Sequence, residues 1–117
     1  PDFLDHFYEN FIKSDRTIAT ILEGGDVQKR KALMLAEIVA TIQYHRGAKA
    51  SDLILAKLAH NHQEIDLPST MYGPWLESLL LTLQTHDPKW SENLENIWRQ
   101  TLAKGLAYLA NQHQTLI

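Results

Sequence analysis

The stretch "LAKLAHNHQEIDLPSTMYGPWLESLL", residues 55–80, closes one apolar helical pattern on two histidines and opens another on a cluster of aromatics. Leu55, Leu58 and His62 are separated by three and then four residues, so they share one face of a helix predicted over 52–62. His60 points elsewhere, because positions two apart on a helix diverge by about 200°. The pair therefore cannot grip one metal from a helix as histidines four apart do, and His60 reads as a solvent-facing residue. His62 lies on the apolar face at the helix end. Spacing alone reads it as a half-buried imidazole bonded to a backbone carbonyl. Beyond "QEIDL", a helix predicted over 68–86 turns Met71, Tyr72, Trp75, Leu76, Leu79 and Leu83 inward. Pro68 stands at its start, and Gly73-Pro74 falls in its first turns, where a missing N–H is tolerated.

The same periodicity extends outward in both directions. From Asp2 to Lys13 the residues Phe3, Leu4, Phe7, Tyr8, Phe11 and Ile12 repeat in steps of three and four, an amphipathic helix entered through Asp2. "RTIATIL", residues 16–22, makes only a short piece of helix before Gly24-Gly25 breaks the chain and Asp26 offers a new N-cap. From Val27 to about His45 the set Val27, Met34, Leu35, Ile38 and Ile42 marks one side of a long helix that Gly47 ends. Ser51 is the expected cap of the 52–62 helix. Asp87-Pro88 stops the helix that begins at Pro68, and Ser91 caps a last one running to about Gln112. The core face of this last helix is Leu94, Ile97, Trp98, Thr101, Leu102, Gly105, Leu106 and Leu109. No stretch alternates with period two, so the chain reads as all-α.

Composition narrows the function classes. A length of 117 residues fits one domain, 1–117, built around one core, and 44% hydrophobic with 21% charged residues argues for a folded chain. With a net charge of −3 and Lys29-Arg30-Lys31 as the one basic cluster, there is no face for neutralising phosphates, so nucleic acid is not an expected partner. The absence of cysteine removes disulfides, thiolate catalysis and iron–sulfur ligation, leaving histidine and carboxylate for any metal chemistry. No apolar run approaches the roughly 20 residues needed to span a bilayer, which points to a cytoplasmic protein without a membrane partner. The first residue is Pro1 rather than methionine, as in a processed, trimmed or excised chain.

Taken in order, "FLDHFYENFIKSD", a Gly-rich corner, "DVQKRKALM", "LAKLAHNHQEIDLPSTMY", "YGPWLESLLLTL" and "ENIWRQTL" resemble the bacterial single-domain globins and the globin domains of gas sensors. The resemblance covers almost the whole chain. It rests on a histidine, a tyrosine ten residues later near the start of the next helix, and a tryptophan in the last helix: His62, Tyr72 and Trp98. It implies a globin-like fold that lacks or truncates the family's first helix. It also implies haem b as cofactor, with the His62 imidazole as the proximal iron ligand. The other ring nitrogen then needs a partner, for which the Leu58 carbonyl and the Tyr72 hydroxyl are the candidates.

On the distal side, Tyr8 matches the tyrosine that many bacterial globins aim at the bound gas. A donor to a partly charged ligand in an apolar pocket contributes roughly 1.5–3 kcal/mol, about ten- to a hundredfold in affinity. On the long helix the resemblance of "KALM" favours Lys29, whereas the apolar stripe favours Arg30. Choosing Lys29 would turn Glu37 into the core at the cost of burying a carboxylate, so Arg30 is preferred. Its 32-residue separation from His62 is similar to that in other bacterial globins, although Gln or His is usual there. The corner position at which the family carries a haem-stacking Phe matches Leu22, which packs but cannot stack. Met34, Leu35, Leu58, Trp75 and Leu79 complete the expected pocket lining.

The function the resemblance implies is reversible binding of a diatomic gas, oxygen or nitric oxide, for sensing, binding or detoxification. Nitric oxide dioxygenation would require an external reductase. In a sensor the last two helices would be the surface that pairs with a second copy. Two other classes compete: a haem-free helical interaction module, in which His62, Tyr8 and Trp75 are packing residues, and a His/carboxylate metal hydrolase using His60, His62 and acidic neighbours. The second is geometrically poor, because no helix presents His and Glu three or four apart facing inward.

Overall fold

The computed structural model describes residues 2–64 and 68–115, with side chains described for 3–61 and 68–111. Among these residues six α-helices follow one another: α1 (Asp2–Ser14), α2 (Arg16–Leu22), α3 (Val27–His45), α4 (Ser51–Glu64), α5 (Tyr72–His86) and α6 (Glu92–Thr115). There is no strand among the described residues. Local chemistry sets most of the boundaries. The Asp15 carboxylate accepts from the Thr17 N–H at 2.7 Å and Asp26 from the Lys29 N–H at 3.1 Å, so both side chains satisfy donors that a helix start leaves open. Ser91 Oγ does the same for the Leu94 N–H at 3.1 Å. At the end of α3, Gly47 takes a φ of 74°, and the Gly47 and Ala48 N–H groups bond back to the Tyr44 and Gln43 carbonyls. That closure needs a left-handed residue, which glycine adopts without strain.

Two starts differ from the sequence reading. Ser51 does not cap α4 but is its first residue: its hydroxyl donates to the Ala48 carbonyl at 2.7 Å, and Ala50 just before it is held at a φ of 66°. The segment from Pro68 opens with a 3-10 turn over Ser69–Met71, closed by a Met71 N–H to Pro68 carbonyl bond of 3.0 Å, and the α-helix begins only at Tyr72. Pro74 has no N–H to give to the carbonyl four residues back, so an α-helical ladder through this stretch would be incomplete.

The helices cross in two groups that share one core. α1 lies along α5, while α3 and α4 both rest on α6 and on each other. Phe7, Tyr8 and Phe11 of α1, Ile18 and Leu22 of α2, Met34 and Ile38 of α3, Leu55, Leu58 and Ala59 of α4, Trp75 and Leu79 of α5, and Leu102, Leu106 and Leu109 of α6 form a single buried cluster. α3 and α6 approach closely at Gly105. A Cβ at Gly105 would come within 2.8 Å of Thr41 Cγ2 and 3.0 Å of Thr41 Cα, so glycine lets the two backbones nearly touch. Arg99 ties α5 to α6 with a two-pronged contact to Glu77, 2.8 and 3.0 Å, and a third bond to Glu95 at 2.9 Å.

The α3–α6 approach rotates α3 relative to its apolar stripe. Met34, Glu37, Ile38 and Thr41 face inward, while Val27 and Leu35, expected inside, are exposed at 40% and 48%. Ile97, also expected in the core, is 50% exposed. It lies one position off the Leu94–Trp98–Leu102 line that faces the other helices.

Candidate functional site

The residues singled out from the sequence come from five helices. Tyr8, Leu22, Met34, Leu58, Tyr72 and Trp75 are all buried and all belong to the one core cluster, as does Leu79. α1 brings Tyr8 there because Phe7 and Phe11 bury the same side. The Phe7 ring then meets Trp75 edge-on, with centroids 5.5 Å apart. Lys31 on α3 reaches across to α1, bonding the Asp5 carboxylate at 2.6 Å with its ammonium 5.9 Å from the centre of the Tyr8 ring. The side chain of His62 lies outside the described residues, and its backbone is helical within α4. His60 is exposed, as its position on the helix required.

Arg30 is half-buried and Lys29 exposed. The Arg30 guanidinium folds back onto the corner after α2, where a Cβ at Gly25 would collide with it. Glu37, expected to stay out of the core with Arg30 facing in, is only 3% exposed. A 4-3-4 series, Arg30, Met34, Glu37 and Thr41, already placed Glu37 on the inward side, but a lone carboxylate reads as solvent-facing in a sequence. Its presence is felt by Tyr72. Burial, and then the Glu37 carboxylate, push the Tyr72 phenol well above its ordinary range, so this residue stays a neutral O–H donor at any physiological pH.

Two buried N–H groups have no hydrogen-bond partner among the described residues: Trp75 Nε1 and Arg30 Nη1. Native interiors rarely leave such donors open, because an unmet buried donor costs about 1–3 kcal/mol. An apolar groove of about 510 Å³ separately runs between α3 and α4, lined by Ala32, Leu35, Ala36, Val39, Ala40, Gln43, Lys49, Ser51 and Ile54. Leu35, expected to line a pocket with Met34 and Leu58, lines this groove instead, and none of the buried residues named above does. From Ile54 to His62 is eight residues along α4, roughly 12 Å. The groove and the end of α4 are thus different places.

No family profile and no curated protein matches the chain. Among solved structures, it is similar to a protein from Pseudomonas aeruginosa PAO1 described as structurally highly homologous to a human haemoglobin. The TM-score is 0.84 at 27% identity, over 95% of this chain and 85% of that one. The fold is globin-like. In this globin-like frame α1 and α3 carry Tyr8, Arg30 and Met34, α4 carries Leu58 and His62, and α5 carries Tyr72 and Trp75. Among the described residues no three His, Cys, Asp or Glu side chains gather into a metal site; the side chain of His62, on which the hydrolase reading depends, lies outside them. No helix of the described residues is long and apolar enough to cross a membrane.

The residue types fit a haem. A flat apolar group needs apolar walls, which Leu22, Met34 and Leu58 offer, and Tyr8 and the unpartnered N–H groups of Trp75 and Arg30 add hydrogen-bond donors to the interior.

Proposed function

We propose that this globin-like protein binds haem b through His62 and reversibly takes up a diatomic gas, oxygen or nitric oxide. The observation that carries the reading is the two buried donors without partners among the described residues, Trp75 Nε1 and Arg30 Nη1, in the interior of a globin-like fold. The haem, once bound, supplies the gas-binding iron; the chain supplies the pocket and its polarity. His62 would hold the haem iron, and the Leu58 carbonyl or the neutral Tyr72 hydroxyl would orient its ring. Tyr8 would donate to the gas, and Arg30, Met34 and Leu22 would line the pocket. A sensing role would use α5 and α6 to pair with a second copy; exposed Leu81 and Ile97 lie on these helices.

A second reading, a haem-free interaction module, is favoured by the apolar groove between α3 and α4, because exposed apolar surface of this kind marks binding sites. Haemin titration followed by absorbance separates the two. A Soret band that His62→Ala abolishes or shifts is the expected result. No band at saturating haemin overturns the haem reading and leaves the interaction module.

A further inference from the structure

The seam between α1 and α5 holds a pair of histidines that the haem reading does not use. His6 Nδ1 and His86 Nε2 are 3.0 Å apart, although 80 residues separate them in the chain. Their rings are inclined at 78° with centroids 5.2 Å apart, and the Phe3 ring buttresses His86 at 5.5 Å. One turn away on both helices, Asn10 Nδ2 donates to Thr82 Oγ1 at 3.0 Å, so the register that brings the imidazoles together is fixed by a second rung. His86 is exposed and His6 half-buried, which leaves the pair open to solvent.

Two imidazole nitrogens at this distance share one proton in the neutral pair. When the bridging proton moves to the far nitrogen of its own ring, both facing nitrogens present lone pairs that a cation can take. Zn–N bonds of about 2.0–2.1 Å in tetrahedral geometry put two ligand nitrogens about 3.3–3.4 Å apart, so the seam opens by only a few tenths of an ångström. A third ligand is close by in sequence. Glu9 lies three residues after His6, on the same side of α1. Its carboxylate is engaged by Lys13 at 2.6 Å, in a pair whose side chains are 58% and 70% exposed, an interaction that contributes little and yields easily. The Lys13 hydrogen bond and charge hold the Glu9 carboxyl below its ordinary range. Among the described residues no third ligand stands ready in place, so Glu9 has to swing in from Lys13.

We propose that His6 and His86, joined by Glu9, form a surface site for a borderline divalent cation such as Zn²⁺, Ni²⁺ or Cu²⁺, stapling α1 to α5. Imidazole and carboxylate suit these ions, whereas harder Mg²⁺ and Ca²⁺ prefer all-oxygen sites. The inference does not depend on the haem reading, since neither helix end takes part in that site.

The test is thermal unfolding of the metal-stripped full chain with and without ZnCl₂. At a zinc concentration ten times its Kd the wild-type midpoint should rise by roughly 5 °C. His6→Gln and His86→Gln should each abolish the rise, and His60→Gln should keep it. Zinc titration by calorimetry gives a second measurement: affinity should fall more than tenfold as pH drops from about 7.5 to 5.5, because protons compete with the metal for its ligands. Equal shifts in wild type and His86→Gln, no zinc binding at all, or an affinity indifferent to pH would each overturn the site. An unaltered affinity in Glu9→Gln would remove the carboxylate from it.

Discussion

Replacing Gly105 by alanine puts the α3–α6 crossing to a direct test. The new methyl carbon would lie 2.8 Å from Thr41 Cγ2, 2.9 Å from its Cβ and 3.0 Å from its Cα, against an ordinary carbon–carbon contact of about 3.5–4.0 Å. Thr41 cannot simply turn away. It is fully buried, and its hydroxyl is held by the Glu37 and Ile38 carbonyls at 2.8 and 2.9 Å. One of the three contacts is with backbone, so the helices must part by about half an ångström or more, and overpacking of this kind costs roughly 1–3 kcal/mol. Alanine recovers up to about 1 kcal/mol of helix propensity over glycine, which leaves a net loss of about 1–2 kcal/mol. For a chain of this length that lowers Tm by roughly 4–10 °C, measurable by circular dichroism. In Thr41→Ala/Gly105→Ala the loss should be smaller than the sum of the single losses by about 0.5 kcal/mol or more, because Cγ2 is gone. A Gly105→Ala protein as stable as wild type would refute the close crossing, and additive losses would show that Thr41 is not what the methyl meets.

Other consequences follow from burial and charge. Leu79→Ala should cost about 2–5 kcal/mol, since Leu79 is fully buried, whereas Leu35→Gln should change stability by less than about 0.5 kcal/mol; urea unfolding that ranks them the other way would mean α3 is rotated differently. Glu77 has its carboxyl held below the ordinary range by hydrogen bonds from Arg99. A lowered folded-state pKa contributes stability that is present above the ordinary glutamate value of about 4.3 and lost as pH falls through the folded one. Arg99→Met should therefore destabilise modestly at pH 7, by under about 1 kcal/mol for so exposed a pair, and the gap from wild type should close below about pH 4. A gap that widens in acid would reverse the assignment. If Tyr8 donates to the bound gas, Tyr8→Phe should speed oxygen release about tenfold or more in stopped-flow measurements, and an unchanged rate would take Tyr8 out of that role.

The all-helical class and the ends of α1, α2, α3 and α6 were legible in the sequence because their signals are local. Three-four apolar spacing, Asp15, Asp26 and Ser91 as caps, and Gly47 as a stop act over a few residues of chain. The order of Tyr8, His62, Tyr72 and Trp98 along those helices was equally legible, and it carries the globin resemblance. Rotation of a helix about its own axis is not local. Leu35 and Ile38 looked equivalent along α3, and only the contact between Thr41 and Gly105 on another helix turned Ile38 in and Leu35 out.

Side-chain partners distant in sequence were beyond reach for the same reason. Glu37 beside Tyr72, Arg30 folded onto Gly25 and His6 facing His86 each depend on how two separate segments come together. The sequence by itself determined that this chain makes helices, where most of them start and stop, and which aromatic and imidazole side chains they offer to a common interior. Only the tertiary structure decided which face of each helix turned inward and which polar groups went with it. Backbone hydrogen bonds and caps are satisfied within a few residues, while the burial of a side chain is set by the other helices packed against it.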